Sequence, residues 1–205
     1  MLIRCGDDLL AAGVDSPADA QALAARLREA GEWLEVVPGI DSVVVRFDLD
    51  STTGSEAEAA IEAVLAQGIR PLPATEQVVD LEVVHDGPDL QELSDKPGLS
   101  VSEIIDLHTG TEYPVEMVGF TPGFAFIGGL DEKLRVPRRE QPRQRVPAGS
   151  VGIADGRTGL YAMASPGGWT LIGRTDHKLF DATAAQPFAL EPGMRVRFRA
   201  AMPGS

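Results

Sequence analysis

Apolar side chains return at helical spacing along residues 16 to 30, at Leu23, Leu27 and Ala30, on a segment that opens with Ser16-Pro17 and stops at Gly31. Serine as a cap, proline at the first helical position and Asp19 in the first turn predict a helix. The period then changes. "EWLEVV" and "SVVVRFD" read as strands, the second with Val43, Val45 and Phe47 on one face, and "PGID" between them reads as a hairpin turn. A second helix is predicted over the Ile61, Val64 and Leu65 stripe, with Ser55 and Glu58 at capping-box spacing and Gly68 at its C-terminal end. A short strand near the start and "QVVDLEVV" near residue 80 complete β-α-β-β-α-β, the split order of a ferredoxin-like domain.

After "HDGPDLQELSDKPG" the texture shifts. One more helix is predicted, because Ser100 and Glu103 repeat the capping-box spacing before Ile104, Ile105 and Leu107, and Thr109-Gly110 ends it. From Tyr113 onward, short apolar runs are punctuated by Pro-Gly and Gly-Gly, and nine of the eleven aromatic residues lie there. That pattern predicts a compact β-barrel or sandwich with tight turns. The expected class is therefore α+β, with a small ferredoxin-like α/β domain over residues 1–86 and a β domain over 87–205, joined in the proline- and aspartate-rich link.

Within the β domain "GFTPGFAFIGGL", residues 119 to 130, packs glycine against phenylalanine. Thr121-Pro122-Gly123-Phe124 suits a type II turn, in which proline presets the first central residue and glycine supplies a positive φ at the second. "SPGGW" at 165 to 169 offers Pro166 and Gly167 for the same positions. Turns and core aromatics account for both stretches. Consecutive glycine amides also converge into anion-binding nests, and "RVPRREQPRQR" adds Arg135, Arg138, Arg139, Arg143 and Arg145 within eleven residues. Prolines precede Arg138 and Arg143, which organises the loop for phosphate or carboxylate better than a free tail.

Charge sharpens this picture. The net charge of −13 argues against nucleic acid as a partner. It is unevenly spread: residues 1–130 hold 6 basic and 24 acidic side chains, residues 131–205 hold 12 basic and 7 acidic. A small anionic ligand is expected in the C-terminal part. With 205 residues, 43% hydrophobic and 24% charged, the chain reads as folded and soluble, and no stretch approaches the roughly 20 apolar residues of a membrane span. Aspartates interrupt the start where a secretory signal needs an apolar run, so a cytoplasmic protein is expected. A lone cysteine, Cys5, and three scattered histidines give no intrachain disulfide and no Cys/His zinc pattern.

Several motifs fail. Neither G-x-x-x-x-G-K-[ST] nor G-x-G-x-x-G is present. "AGSVG" around Ser150 is no nucleophile elbow, because its first glycine is one residue too close and a strand follows. His108 falls in the last turn of the predicted helix, where the dipole favours an imidazolium and where structural and catalytic roles both fit.

Residues 108–181 resemble the family of 5-oxoprolinase B subunits, also known as allophanate hydrolase subunit 1. The resemblance rests on H-x(4)-Y-x-V, G-F-x-P-G-F, P-R-x(3)-P-R-x(2)-V-P-A-G-S-V-G-I, P-G-G-W and I-G-R-T-x(3)-L-F-D, all in order. It implies a small α/β domain followed by a cyclophilin-like β-barrel. The implied activity is one part of an ATP-dependent 5-oxoprolinase, which opens the lactam of 5-oxoproline to L-glutamate. ATP, with Mg2+, would be the co-substrate, because the lactam carbonyl is a poor electrophile and phosphorylating its oxygen makes a good leaving group for attack by water at the carbon. Such a step needs cations on the phosphoryl group and donors on the oxyanion. On this reading Arg138, Arg143 and Arg174 serve the first need, and the amides around Gly123, Gly149 and Gly167 the second. His108 is the candidate proton-transfer group and Ser150 a substrate contact. Gly119, Phe120, Pro122, Phe124, Pro166, Gly168 and Trp169 complete the expected substrate and nucleotide site, with no metal site in the chain. The implied partner is the 5-oxoprolinase C subunit, also called allophanate hydrolase subunit 2, because this chain offers no nucleotide fold or activated nucleophile of its own. Two alternatives stand beside this one. Related modules occur in urea carboxylase, which favours allophanate or urea-like amides, and some relatives are histidine-kinase inhibitors.

Overall fold

The computed structural model describes residues 1–70, 77–95 and 98–202. The chain divides into two compact units, Met1–Pro73 and Ala74–Ser205.

The first unit runs β1 (Leu2–Arg4), β2 (Leu9–Gly13), α1 (Pro17–Ala30), β3 (Glu35–Pro38), β4 (Ser42–Arg46) and α2 (Gly54–Ala66). Its sheet has the order β1-β2-β4-β3, antiparallel throughout. Alternation puts Leu10, Ala12, Val43 and Val45 on one face, and these pack with Leu23, Leu27 and Ile61 of the helices in one buried cluster. Helix α1 starts as expected, with the Ser16 side chain accepting the Asp19 amide. The cap of α2 lies two residues earlier than the spacing suggested. Thr53 takes the Glu56 amide and Glu56 returns a carboxylate to the Thr53 amide, so this box, and not Ser55-Glu58, satisfies the free helix-start donors. Gly68 follows with φ +76, as a helix-ending glycine should. The expected ferredoxin-like order does not form. The strand near residue 80 is absent from this sheet, and the place beside β2 is taken by β1.

That strand, β5 (Val78–Val83), lies in the second unit, where it pairs in parallel with β13 (Arg195–Ala200) over six residue pairs. The boundary therefore sits at 73/74 rather than near residue 86. The remaining elements of this unit are α3 (Leu90–Ser94), α4 (Val101–Thr109), β6 (Glu112–Val118), β7 (Ala125–Ile127), β8 (Arg143–Val146), β9 (Ser150–Ala154), β10 (Arg157–Leu160), β11 (Ser165–Gly167) and β12 (Thr170–Arg174), with a 3-10 turn at Glu132–Leu134. Seven strands form one sheet, β12-β9-β10-β7-β6-β13-β5, and β11 pairs with β8 alone.

The sheet curls until its ends meet. Just past β5, the Val84 amide and carbonyl both bond the Arg174 backbone at 2.9 Å, and the Gly87 and Asp89 amides continue along Ile172 and Leu171. Residues read as a linker are thus barrel wall. Glycine is required on both sides of this seam: a Cβ at Gly87 would overlap the Ile172 backbone, and one at Gly173 the Val84 carbonyl. Inside lie Leu81, Ile104, Tyr113, Ile127, Ile153 and Phe198 among the buried residues of a single cluster. Helix α4 carries the expected Ser100-Glu103 capping box.

Candidate aromatic and arginine face

The turn at 121–124 is of the expected kind, with the Phe124 amide donating to the Thr121 carbonyl at 3.0 Å and Gly123 at φ +76. A Cβ at Gly123 would also fall 2.7 Å from Phe180 Cβ, so close approach and φ both demand glycine. Phe120 is unusual: a bulky residue at φ +71 that leaves its side chain 67% exposed. Its ring meets Phe124 edge-on at 5.6 Å. Phe124 is buried and contacts Phe126, Tyr161 and Trp169 at 4.8, 4.9 and 5.8 Å between ring centroids. Over Trp169 lies the Arg138 guanidinium, 5.7 Å from the ring centroid. Three segments distant in sequence thus meet: the Gly119–Phe124 turn, the arginine loop, and the stretch from Tyr161 to Trp169.

The five loop arginines are not equivalent. Arg138 is exposed and pairs with Asp155 at 3.3 Å. Arg143 is half-buried, 2.5 Å from the Asp89 carboxylate, and Arg139 reaches the same oxygen at 3.1 Å. The other Asp89 oxygen accepts the Leu171 amide at 2.7 Å. Of the two expected phosphoryl cations in this loop, Arg143 is therefore spent on a buried carboxylate, and Arg138 keeps its charge at the surface.

"SPGGW" does not repeat the turn. Ser165–Gly167 is a short strand against β8, and Gly167 is needed because a Cβ there would overlap the Tyr161 hydroxyl. Burial pushes that phenol above its ordinary pKa, against the pull of the Trp169 backbone and of the Arg138 and Arg143 charges. The hydroxyls of Thr121, Tyr161 and Ser165 are shielded from solvent without a hydrogen bond of ordinary geometry. Buried hydroxyls left unmatched are uncommon. Gly168 accepts the Arg139 amide at 2.7 Å and so docks the arginine loop beside Trp169, while Pro122 and Pro166 stand at the surface of their segments.

Other expected site residues lie elsewhere in the barrel. The Gly149 amide donates to the Tyr161 carbonyl at 2.7 Å and the Gly119 amide to Phe124, so neither is free for an oxyanion. Ser150 is buried at the start of β9, opposite Arg174 in the ladder. Arg174 lines a separate cleft of about 580 Å³ together with Asp80, Glu82, Asp176, His177 and Arg199, and its guanidinium pairs with Asp86 at 3.1 Å. His108 is wholly buried. Its Nδ1 meets His85 Nε2 at 3.1 Å, its Nε2 meets Thr158 Oγ1 at 3.2 Å, and its ring stacks on Phe198. Burial, reinforced by His85, lowers its pKa to about 3, so the imidazolium expected from the helix dipole gives way to a neutral core ring.

Two contributors carried little signal in the sequence. Asp89 sits in a segment read as a link, although five clustered arginines imply a counter-charge somewhere. Tyr161 has no local signature, because its role comes from the strand it faces.

A family described as the carboxyltransferase domain, subdomain C and D, matches residues 2–190. The chain is 38% identical to the 5-oxoprolinase B subunit of Escherichia coli O157:H7, over 86% of this chain and 82% of that protein. It is 36% identical to the 5-oxoprolinase B subunit of Bacillus subtilis (strain 168), over 81% and 75%. The solved structure of TTHA0988 superposes with a TM-score of 0.77 at 35% identity, covering 98% of this chain and 39% of that one. The urea carboxylase of Kluyveromyces lactis shares the fold with a TM-score of 0.78 at 17% identity, over 98% of this chain and 22% of that chain. With this fold, the G-F-x-P-G-F turn and the arginine loop docked on Trp169, the chain belongs to the 5-oxoprolinase B-subunit family.

Proposed function

We propose that this chain is one subunit of an ATP-dependent amidohydrolase, and that its reaction is the opening of the 5-oxoproline lactam to L-glutamate. The observation that carries the reading is the name shared by relatives that match more than four-fifths of the chain. The site chemistry agrees. Arg138 presents a cation beside an aromatic wall, and the Ser165 and Thr121 hydroxyls of the same region are buried without a hydrogen-bond partner. Cations preorganised beside a transferring phosphoryl group stabilise the charge that develops there. Among the described residues no three His, Cys, Asp or Glu side chains converge on a metal position. Mg2+ is proposed only as the companion of the ATP phosphates.

A second polypeptide, of the kind called the 5-oxoprolinase C subunit, is proposed to complete the site. Exposed Phe120 on a positive-φ backbone suits an interface core better than bare solvent. No helix among the described residues is long and apolar enough to cross a membrane, and a cytoplasmic location is proposed with the rest. The test is to co-express the two chains and measure ATP hydrolysis with and without 5-oxoproline, then repeat with each chain alone. Hydrolysis that depends on 5-oxoproline and on both chains supports the reading. Turnover of allophanate or urea-like amides instead, or kinase binding without turnover, overturns it.

A further inference from the structure

We propose that Asp89 is a positioning residue: its buried carboxylate pins the arginine loop so that Arg138 stands over Trp169, ready for an anionic ligand. The inference rests on the reading of Arg138 given above. Asp89 is only 3% exposed, and its backbone is held at the barrel seam, with its amide on the Leu171 carbonyl at 3.1 Å and its carbonyl on the Leu93 amide at 2.9 Å. One carboxylate oxygen serves both Arg139, at 3.1 Å, and Arg143, at 2.5 Å, and the other takes the Leu171 amide. A carboxylate so enclosed is held only because its donors are complete. The converse matters for the ligand. Without the negative charge two guanidinium groups would face each other, and Arg139 and Arg143 would keep only the exposed Glu92 carboxylate, at 3.2 Å, and the Trp169 carbonyl, at 3.5 Å.

The tethers to Asp89 hold the chain directly after Arg138, and on its other side the Val136 carbonyl accepts the Asp155 amide at 2.8 Å. The neighbouring Arg139 amide docks on Gly168, next to Trp169, and Arg143 reaches the Trp169 carbonyl at 3.5 Å. The charged partner of Arg138 itself, Asp155, is exposed and contributes little to fixing it. Its place over the ring follows from the loop, in which Asp89 supplies the buried counter-charge beside the backbone bonds at Val136 and Arg139.

The test uses Asp89→Asn, which keeps the shape and an acceptor for Leu171 while removing the charge. In the isotope-labelled chain, the Trp169 indole N–H resonance, assigned with Trp33→Phe, should move toward its position in Arg138→Ala. In the two-chain enzyme, kcat/KM for ATP should fall about tenfold. Asp89→Asn should add little to Arg138→Ala in a double-mutant cycle, since both remove one effect. An unmoved Trp169 resonance, or full additivity, would overturn the proposal. Should Asp89→Asn fail to fold, Arg139→Gln removes one tether and is judged by the same resonance. If the wild-type complex shows no 5-oxoproline-dependent ATP hydrolysis, the functional reading falls, and the resonance alone decides the positioning role.

Discussion

Two arginines that look alike in sequence are expected to behave differently when removed. Arg138 is exposed, so Arg138→Ala should leave unfolding by denaturant nearly unchanged while removing about 2–4 kcal/mol of transition-state stabilisation in the assembled enzyme. Arg143→Ala should instead lower the stability of the isolated chain by about 1–3 kcal/mol, because Asp89 loses a charged donor in a buried setting. Equal denaturation midpoints for the two variants would contradict this. His108 supplies a pH test. The folded ring protonates only near pH 3, whereas an unfolded histidine does so near 6.5. The unfolded state therefore binds more protons between those values, and stability, whole above about pH 6.5, falls as pH drops toward 3. Urea unfolding at pH 7 and pH 5 should show this fall for the wild type and a smaller one for His108→Gln.

Among elements, the barrel seam is expected to be the least tolerant. Gly173→Ala drives a Cβ into the Val84 carbonyl and breaks the pairing that closes the sheet, a loss of more than about 3 kcal/mol. Ser100→Ala removes one side of a helix cap and should lose only about 1 kcal/mol. Thermal unfolding of the two variants side by side checks the order, and a seam variant as stable as the cap variant would mean the seam yields. Local signals marked some of these features well. The α4 capping box and the 121–124 turn are legible because their partners lie three residues apart. The seam is not, because Val84 and Arg174 meet across the whole unit.

For the whole molecule, the expectation is that this chain alone does not catalyse. Its cations are gathered in the C-terminal part, yet Arg143 is neutralised by Asp89, and Arg174 faces carboxylates in its own cleft. What remains at the aromatic face is Arg138 with unmatched hydroxyls, an incomplete set for activating a lactam. Purified alone, the chain should show no 5-oxoproline-dependent ATP hydrolysis, and adding the second polypeptide should restore it. Full activity from this chain, with contaminating partner excluded by mass spectrometry, would refute the dependence.

Periodicity and caps alone determined the helices α1 and α4, the β3-β4 hairpin, the change of texture from α/β to β-rich, and the gathering of arginine beside glycine turns. Each is encoded by residues a few positions apart, where propensity and side-chain spacing act directly. Tertiary structure decided the rest. It put β5 in the barrel and β1 in the first sheet, since strand partners are selected by long-range pairing that no local window contains. It made Ser165–Gly167 a strand, because the constraint on Gly167 is the Tyr161 hydroxyl and not a turn. And it turned His108 from a dipole-favoured cation into a neutral core ring, and Arg143 from a ligand cation into the partner of Asp89, because the dielectric and the counter-charge around a side chain exist only once the chain has folded around it.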